Sequence, residues 1–285
     1  MKLKISKKAK KIAGIIALIF IGLILVGVAF LPQILQGLGL HPHFKGEEEF
    51  DLTGKKALVI TTSHDTLDFS GAETGVWASE MTIPYYAFLD ANMTVDVASI
   101  EGGNIPIDPV SLNWPLKTSS DDRFLKDQDF LSKTENSLLI DNLNFSEYDL
   151  VYMAGGWGAA YDLGQSEILG QKITDAYASN VILGSVCHGV LGFLQANDTE
   201  GNPLVENRTM TGVTDKQIRE LGITGTPLHP ETELKNAGAN FVSSTAFRDM
   251  FANHIAIDGN IVTGQNQNAG AETAYEMMKL VNSQG

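Results

Sequence analysis

The chain has 285 residues, 44% of them hydrophobic and 19% charged, which suits a well-filled globular core and excludes a disordered chain. The net charge of −14 conceals a split: Lys2, Lys4, Lys7, Lys8, Lys10 and Lys11 are the charged residues of the first forty, and beyond them 14 basic residues face 34 acidic ones. So acidic a surface repels phosphate backbones and excludes nucleic acid as a partner, while the lone Cys187 excludes an intramolecular disulfide and any multi-cysteine zinc site.

In chain order, the first signal is IAGIIALIFIGLILVGVAFL, residues 12–31, which carries no charge. As a helix it spans roughly 30 Å, about one hydrocarbon core. A cleavable signal peptide would have a shorter apolar region followed by a small-x-small site, whereas this run continues into FLPQILQGLGL. The reading favoured is an uncleaved signal anchor, with residues 1–11 a basic cytoplasmic tail, 12–31 a transmembrane helix and the rest extracytoplasmic. Secretion after cleavage is the alternative. Residues 32–51, with QGLGLHPHFKGEEEF, read as a polar stalk, and residues 52–285 as the folded domain.

Within that domain KKALVITT reads as a buried parallel strand and residues 74–91 as a helix interrupted by Pro84; TVDVASI is a second strand. Residues 101–147 turn polar, with one helix near 121–133, and are long for a connection, so a cap insertion that shapes a site is expected. YDLVYMAGG is a strand running into glycines, SEILGQKITDAYAS a helix, NVILGSV a strand, HGVLGFLQ a helix and RTMTGVT another strand. IAIDGNIVTGQ is a hairpin around Asp258-Gly259, and AGAETAYEMMKLVNS a final amphipathic helix. Such alternation predicts an α/β fold with a mostly parallel sheet and helices on both faces. Sites in such sheets lie at the carboxyl ends of the strands, which here carry His64 and Asp65, Gly155 to Gly158, and Cys187-His188.

Cys187 ends an apolar run, and helical sequence starts at once, the pattern of a nucleophile at a strand-to-helix corner. A helix N-terminus there would favour the thiolate; the competing reading is an inert buried thiol. His188 is either a proton carrier near neutral pH or a plain helix cap. Glu80 sits among Trp77, Met81, Ile83, Tyr85 and Tyr86. It is either solvent-facing, the better reading on pattern alone, or buried and protonated. AGGWGAAYD lacks dinucleotide-binding spacing and is a tight turn or an oxyanion donor beside the corner. His64 reads as a loop histidine able to line a pocket or sit on the surface.

The ordered segments TGVWASEMTIPYYAF, DLVYMAGGWGAAYDL, GSVCHGV, RTMTGVTD and DGNIVTGQNQNAGAETA resemble the ThiJ/PfpI superfamily, and within it the branch of stress-inducible chaperones and glutathione-independent glyoxalases. The resemblance implies a flavodoxin-like three-layer sandwich. It also implies roles by position: Cys187 as nucleophile, Glu80 as the glutamate that hydrogen-bonds the sulfur, His188 as acid/base, and Gly156 with the His188 N–H as oxyanion-hole donors. Two positions depart from the branch pattern. Trp157 replaces a histidine, and Ile218 stands where an acid would orient the catalytic histidine, leaving Asp215 or Glu220 as its substitutes. The function implied is a glyoxalase III-type lyase that converts methylglyoxal or a similar small 2-oxoaldehyde to a hydroxy acid such as D-lactate, with no metal or organic cofactor. A cysteine amidase or peptidase, and a holdase chaperone or cysteine oxidation sensor, are the alternatives. Expected partners are a small aldehyde substrate, a membrane through the N-terminal helix and, as is common in the resembled family, a second copy of the chain.

Overall fold

The computed structural model describes residues 7–284, so most of the basic tail expected over 1–11 lies outside the described residues. The first helix, α1 (Lys7–Ala29), is long and apolar enough between Lys10 and Ala29 to cross a membrane, with mean hydropathy 3.0 and no part of that stretch buried. A short α2 (Leu31–Gly37) follows, with Pro32 in its first turn, where a missing N–H costs no helical hydrogen bond.

The polar stalk expected over 32–51 is instead packed on the domain. Leu40 is buried, the His41 N–H donates to Asn268 Oδ1 at 2.7 Å, and the Glu47 and Glu48 N–H groups both donate to the Tyr275 hydroxyl. Phe44 and Phe50 flank the same tyrosine ring, with centroids 5.3 and 5.2 Å away. The glycines and charges that suggest a flexible spacer are interleaved with Leu40, Phe44 and Phe50, and those three apolar groups decide the outcome.

The domain begins with β1 (Lys56–Thr61), a small hairpin of β2 (Thr66–Leu67) and β3 (Ala72–Glu73), then α3 (Ala78–Asp90) and β4 (Thr94–Ser99). The insertion forms α4 (Ser119–Phe124), α5 (Gln128–Glu135) and a short β5 (Leu138–Leu139), two helices where one was expected. Thr118 caps α4 through a reciprocal bond pair with Asp121, and Asp127 caps α5, so the break between them is a fresh helix start. The chain continues through β6 (Leu150–Met153), α6 (Ala159–Asp162), α7 (Glu167–Ala178) and β7 (Ile182–Val186). After the corner at Cys187 come β8 (Thr209–Met210), α8 (Asp215–Leu221), α9 (Pro230–Asn236), β9 (Asn240–Phe241), the hairpin β10 (Ile255–Asp258) and β11 (Ile261–Gly264), and α10 (Gly270–Gln284).

Seven strands form one sheet in the order β10-β11-β7-β6-β1-β4-β5, parallel except for the hairpin pair β10 and β11. Strand alternation sorts its side chains into two cores. Ala57, Val59, Tyr152 and Val262 pack on one side with Phe88 of α3 and Met277 of α10; Leu58, Ile60, Met153 and Leu183 pack on the other with Leu169 and Ile173 of α7. β1 pairs with β4 on one side and β6 on the other, so the winding reverses there and a crevice opens at the carboxyl ends of these strands. RTMTGVT does not join this sheet. β8 pairs only with β9 in a separate two-stranded ribbon, because the backbone N–H groups of Thr209 and Thr211 are taken by Asp258 Oδ2 and Thr263 Oγ1.

Candidate active site

β7 delivers Val186 in extended conformation, and Cys187 then turns with φ +58°, in the left-handed region that a residue with a side chain enters at a cost of about 1–2 kcal/mol. The seven residues Cys187–Phe193 that follow form a buried 3-10 helix rather than the expected α-helix. Cys187 Sγ lies 3.5 Å from Nδ1 of the adjacent His188.

Glu80 comes from the first turn of α3 and is 1% exposed, against the solvent-facing reading. Its placement has a local cause. Pro84 has no N–H to give the carbonyl four residues back, and Tyr152 Oη donates to that Glu80 carbonyl at 2.9 Å instead. Burial raises the Glu80 carboxyl to about 8, against smaller lowering effects of the Cys187 thiol and the Gly155 N–H. The carboxyl is therefore neutral at pH 7. Its Oε2 makes no hydrogen bond of ordinary geometry, and the Cys187 thiol is the side-chain polar group beside it.

Burial first, and then the charge of an ionised Glu80, push the Cys187 thiol well above its ordinary value, while the N–H groups of His188 and Gly156 pull it down. Burial thus works against the thiolate that a helix N-terminus alone would favour. A neutral Glu80 removes the repulsion, and its hydroxyl can then donate to sulfur as the thiol gives up its proton. Two glycines make the close approach feasible. A Cβ on Gly155 would lie 2.6 Å from Glu80 Oε2 and 2.7 Å from the His188 nitrogen. Gly156 has φ +106° and would drive a Cβ into the backbone of Gly75 and Trp77.

His188 is fully buried, and Trp157 packs edge-on against its ring at 5.1 Å, so the tryptophan that departs from the branch pattern is a wall of the histidine's pocket. Burial lowers His188 to about 3, with a smaller contribution from His229. Its Nε2 has no hydrogen-bond partner. Neither expected orienting acid reaches it. Asp215, in the first turn of α8, accepts from Thr232 Oγ1 at 2.8 Å, and Glu220 accepts the Asp249 N–H at 2.8 Å. Ile218 is buried in the apolar core that also includes Cys187. His64 is held elsewhere, stacked on Tyr161 at 4.0 Å with Nε2 on the Thr66 carbonyl.

Two contributors were not anticipated. His229, the residue before α9, shares the field of His188 and has a buried, unpaired Nε2. Its HPETE context signals a helix start but gives no hint of distance to residue 188. Tyr152 was a strand residue without an assigned role. No cluster of metal-ligating side chains occurs among the described residues.

Cys187, Glu80, Trp77, Gly156 and Trp157 line one cavity of about 290 Å³. Its remaining walls come from the insertion (Asp108, Val110, Leu116), from α8 and the loop after it (Gln217, Leu221, Ile223), and from Leu40 in the segment behind the N-terminal helices.

The chain is similar to several known proteins over most of its length. The DJ-1/PfpI family profile matches residues 71–280. A glutathione-independent glyoxalase of Schizosaccharomyces pombe, hsp3101, is 29% identical over 240 residues, covering 81% of this chain and 97% of the relative. Glyoxalase 3 of Candida albicans is 27% identical over 79% of this chain and 97% of its own length. Among solved structures, the Rapid Encystment Protein of Francisella tularensis superposes with TM-score 0.74 at 32% identity, covering 80% of this chain and 99% of that one. Glyoxalase III of Candida albicans superposes with TM-score 0.72 at 26% identity over 79% of this chain and 96% of that one. With the family profile matched over residues 71–280 and these structures superposing on about four fifths of the chain, the chain belongs to the DJ-1/PfpI family.

Proposed function

We propose that the chain is a glutathione-independent glyoxalase, converting a 2-oxoaldehyde and water into a 2-hydroxy acid. The observation that carries the reading is the placement of Cys187 Sγ 3.5 Å from His188 Nδ1, beside a buried Glu80 whose carboxyl burial raises to about 8. Glyoxalase relatives matched over most of their length support it.

His188, uncharged at pH 7 because burial lowers it to about 3, accepts the thiol proton as sulfur adds to the aldehyde carbon. The N–H groups of Gly156 and His188, directed at the sulfur, hold the alkoxide oxygen that forms next to it. The imidazolium returns its proton to that alkoxide, giving the hemithioacetal; the neutral imidazole then takes the C1 proton and delivers it to C2, while the C1 hydroxyl proton passes to the C2 oxygen. C1 becomes a thioester carbonyl and C2 a secondary alcohol. Water cleaves the C–S bond, releasing the hydroxy acid and restoring the thiol. The oxidation of C1 is balanced by the reduction of C2, so the chemistry requires no external oxidant. Full-length protein in lipid nanodiscs, given methylglyoxal without glutathione, is expected to form lactate, and Cys187→Ala to lose that activity. Lactate formation independent of Cys187 would end the reading.

We propose further that α1 anchors the chain in a membrane with the domain on the extracytoplasmic side. Its length, its hydropathy and the lysines that precede it support this. The expected result is retention in the membrane pellet after alkaline carbonate extraction; release into the supernatant would overturn it.

A further inference from the structure

The catalytic cavity is large and greasy for a three-carbon aldehyde. Its 290 Å³ offers more room than the roughly five non-hydrogen atoms of methylglyoxal fill. Leu40, Leu67, Val110, Leu221, Ile223 and Met250 supply apolar walls. Of the polar side chains that also border it, Asp108, Gln217 and Gln267 are committed, while the exposed Glu73 carboxylate and the unpartnered Trp77 Nε1 are not. Asp108 accepts from Thr74 Oγ1 and the Val110 N–H, both at 2.9 Å. Gln217 Oε1 accepts from Asn266 at 3.0 Å, and Gln267 Nε2 donates to the Met250 carbonyl at 3.2 Å. Polar reach is concentrated at the sulfur end, with hydrophobic volume beyond it, the usual division of a site that orients one reactive head and buries an apolar body.

The apolar end is tied to the N-terminal segment. Leu40 is 4% exposed and comes two residues after the cap of α2. Leu40, Leu116 and Gln267 also line a second cavity of about 340 Å³ that extends to Pro32, Gln33 and Gln36 beside α2. Leu40 and Leu116 thus form an apolar partition between the reactive cavity and the side from which α1 arrives.

We infer that the substrate is a 2-oxoaldehyde bearing an apolar group of about six carbons, with the dicarbonyl at Cys187 and the apolar group against Leu40, Leu116 and Val110. The inference rests on the glyoxalase reading for its reactive head and on the cavity for its tail. The reaction is unchanged: sulfur adds to C1, a proton moves from C1 to C2, and water cleaves the thioester. Each methylene moved from water into such walls multiplies binding about fourfold, an advantage available to the larger substrate alone.

The test uses full-length protein in nanodiscs with methylglyoxal and cyclohexylglyoxal, whose carbonyls are electronically alike. A kcat/KM at least about thirtyfold higher for cyclohexylglyoxal is expected, and parity within about threefold would overturn the inference. Val110→Asn, at a half-exposed position, and Leu40→Asn should each narrow the ratio at least about fivefold. A ratio unmoved by both variants would place the apolar group elsewhere and overturn the assignment. Binding of cyclohexyl methyl ketone and of acetone to Cys187→Ser, read by Trp77 and Trp157 fluorescence, separates the two readings. Much tighter binding of the larger ketone without turnover of either aldehyde would sink the glyoxalase reading and support the apolar cavity. Equal binding would sink the cavity assignment whatever the turnover.

Discussion

Tyr152 Oη donates a 2.9 Å hydrogen bond to the backbone carbonyl of Glu80, the carbonyl that Pro84 leaves without a helical partner. Both groups are buried, so removing the hydroxyl strands an acceptor at a cost of about 1–3 kcal/mol. Tyr152→Phe is expected to lose that much stability. In a Pro84→Ala background the residue-84 N–H can take over, and the loss should shrink by more than half. A double-mutant cycle on thermal unfolding checks this, with additivity as the contrary result.

The Glu80 carboxyl gives a second prediction. Its folded value is about 8, against 4.5 for the free group, so the folded state holds a proton that the unfolded state releases. Stability from this group is complete below about pH 4.5 and falls as pH rises toward 8. Glu80→Gln cannot release a proton, so its melting temperature relative to the parent should rise between pH 5 and pH 8. A constant difference would show that Glu80 is already charged in the folded protein.

Asp215 and Glu220 make their bonds away from the histidine, so Asp215→Asn and Glu220→Gln should leave the pH profile of Cys187 alkylation in place. His229→Gln should shift its acidic limb upward, because His229 is part of what lowers His188. Iodoacetamide kinetics from pH 3 to 9 distinguish the three variants, and an unmoved limb in His229→Gln would remove that histidine from the site.

The strained corner is measurable through stability. Cys187 occupies φ +58°, where a Cβ costs about 1–2 kcal/mol. Cys187→Gly should therefore melt above Cys187→Ala, although glycine is the more flexible residue in the unfolded chain. The reverse order would mean that the corner is not strained.

His41 predicts a pH-dependent release of the N-terminal segment. Burial lowers its ring to about 4, so docking is complete above the free value of 6.5 and weakens as pH falls toward 4. Limited proteolysis over residues 42–50 should accelerate from pH 7.5 to pH 5, and His41→Gln should flatten the change.

The order of sheet strands and helices was legible because hydrophobic period alone separates buried strands such as VILGSV from amphipathic helices such as the one from Gly270 to Gln284. The corner at Cys187 followed from the same pattern, since a strand gave way to helical sequence without a loop. Glu80 was readable only through family resemblance: its burial depends on Pro84 and Tyr152, residues 4 and 72 positions away, and no local pattern reports it. His229 and Leu40 lie 42 and 147 residues from Cys187. Their places at the site are set by how α9 and the N-terminal segment dock. The segment over 32–51 misled because a polar composition hides three apolar anchors, and docking depends on the anchors.

The hold of Tyr275 on that segment has an orientational consequence. A domain on a slack tether samples every direction, whereas here the Glu47 and Glu48 N–H groups share one hydroxyl between two flanking phenylalanine rings. With α2 occupying most of the stretch between Ala29 and Leu40, little free chain is left to swivel. The segment from Leu40 to Phe50 is thus a fixed bracket on the domain rather than a leash, so the chain that leaves toward α2 departs from one constant point on the domain surface.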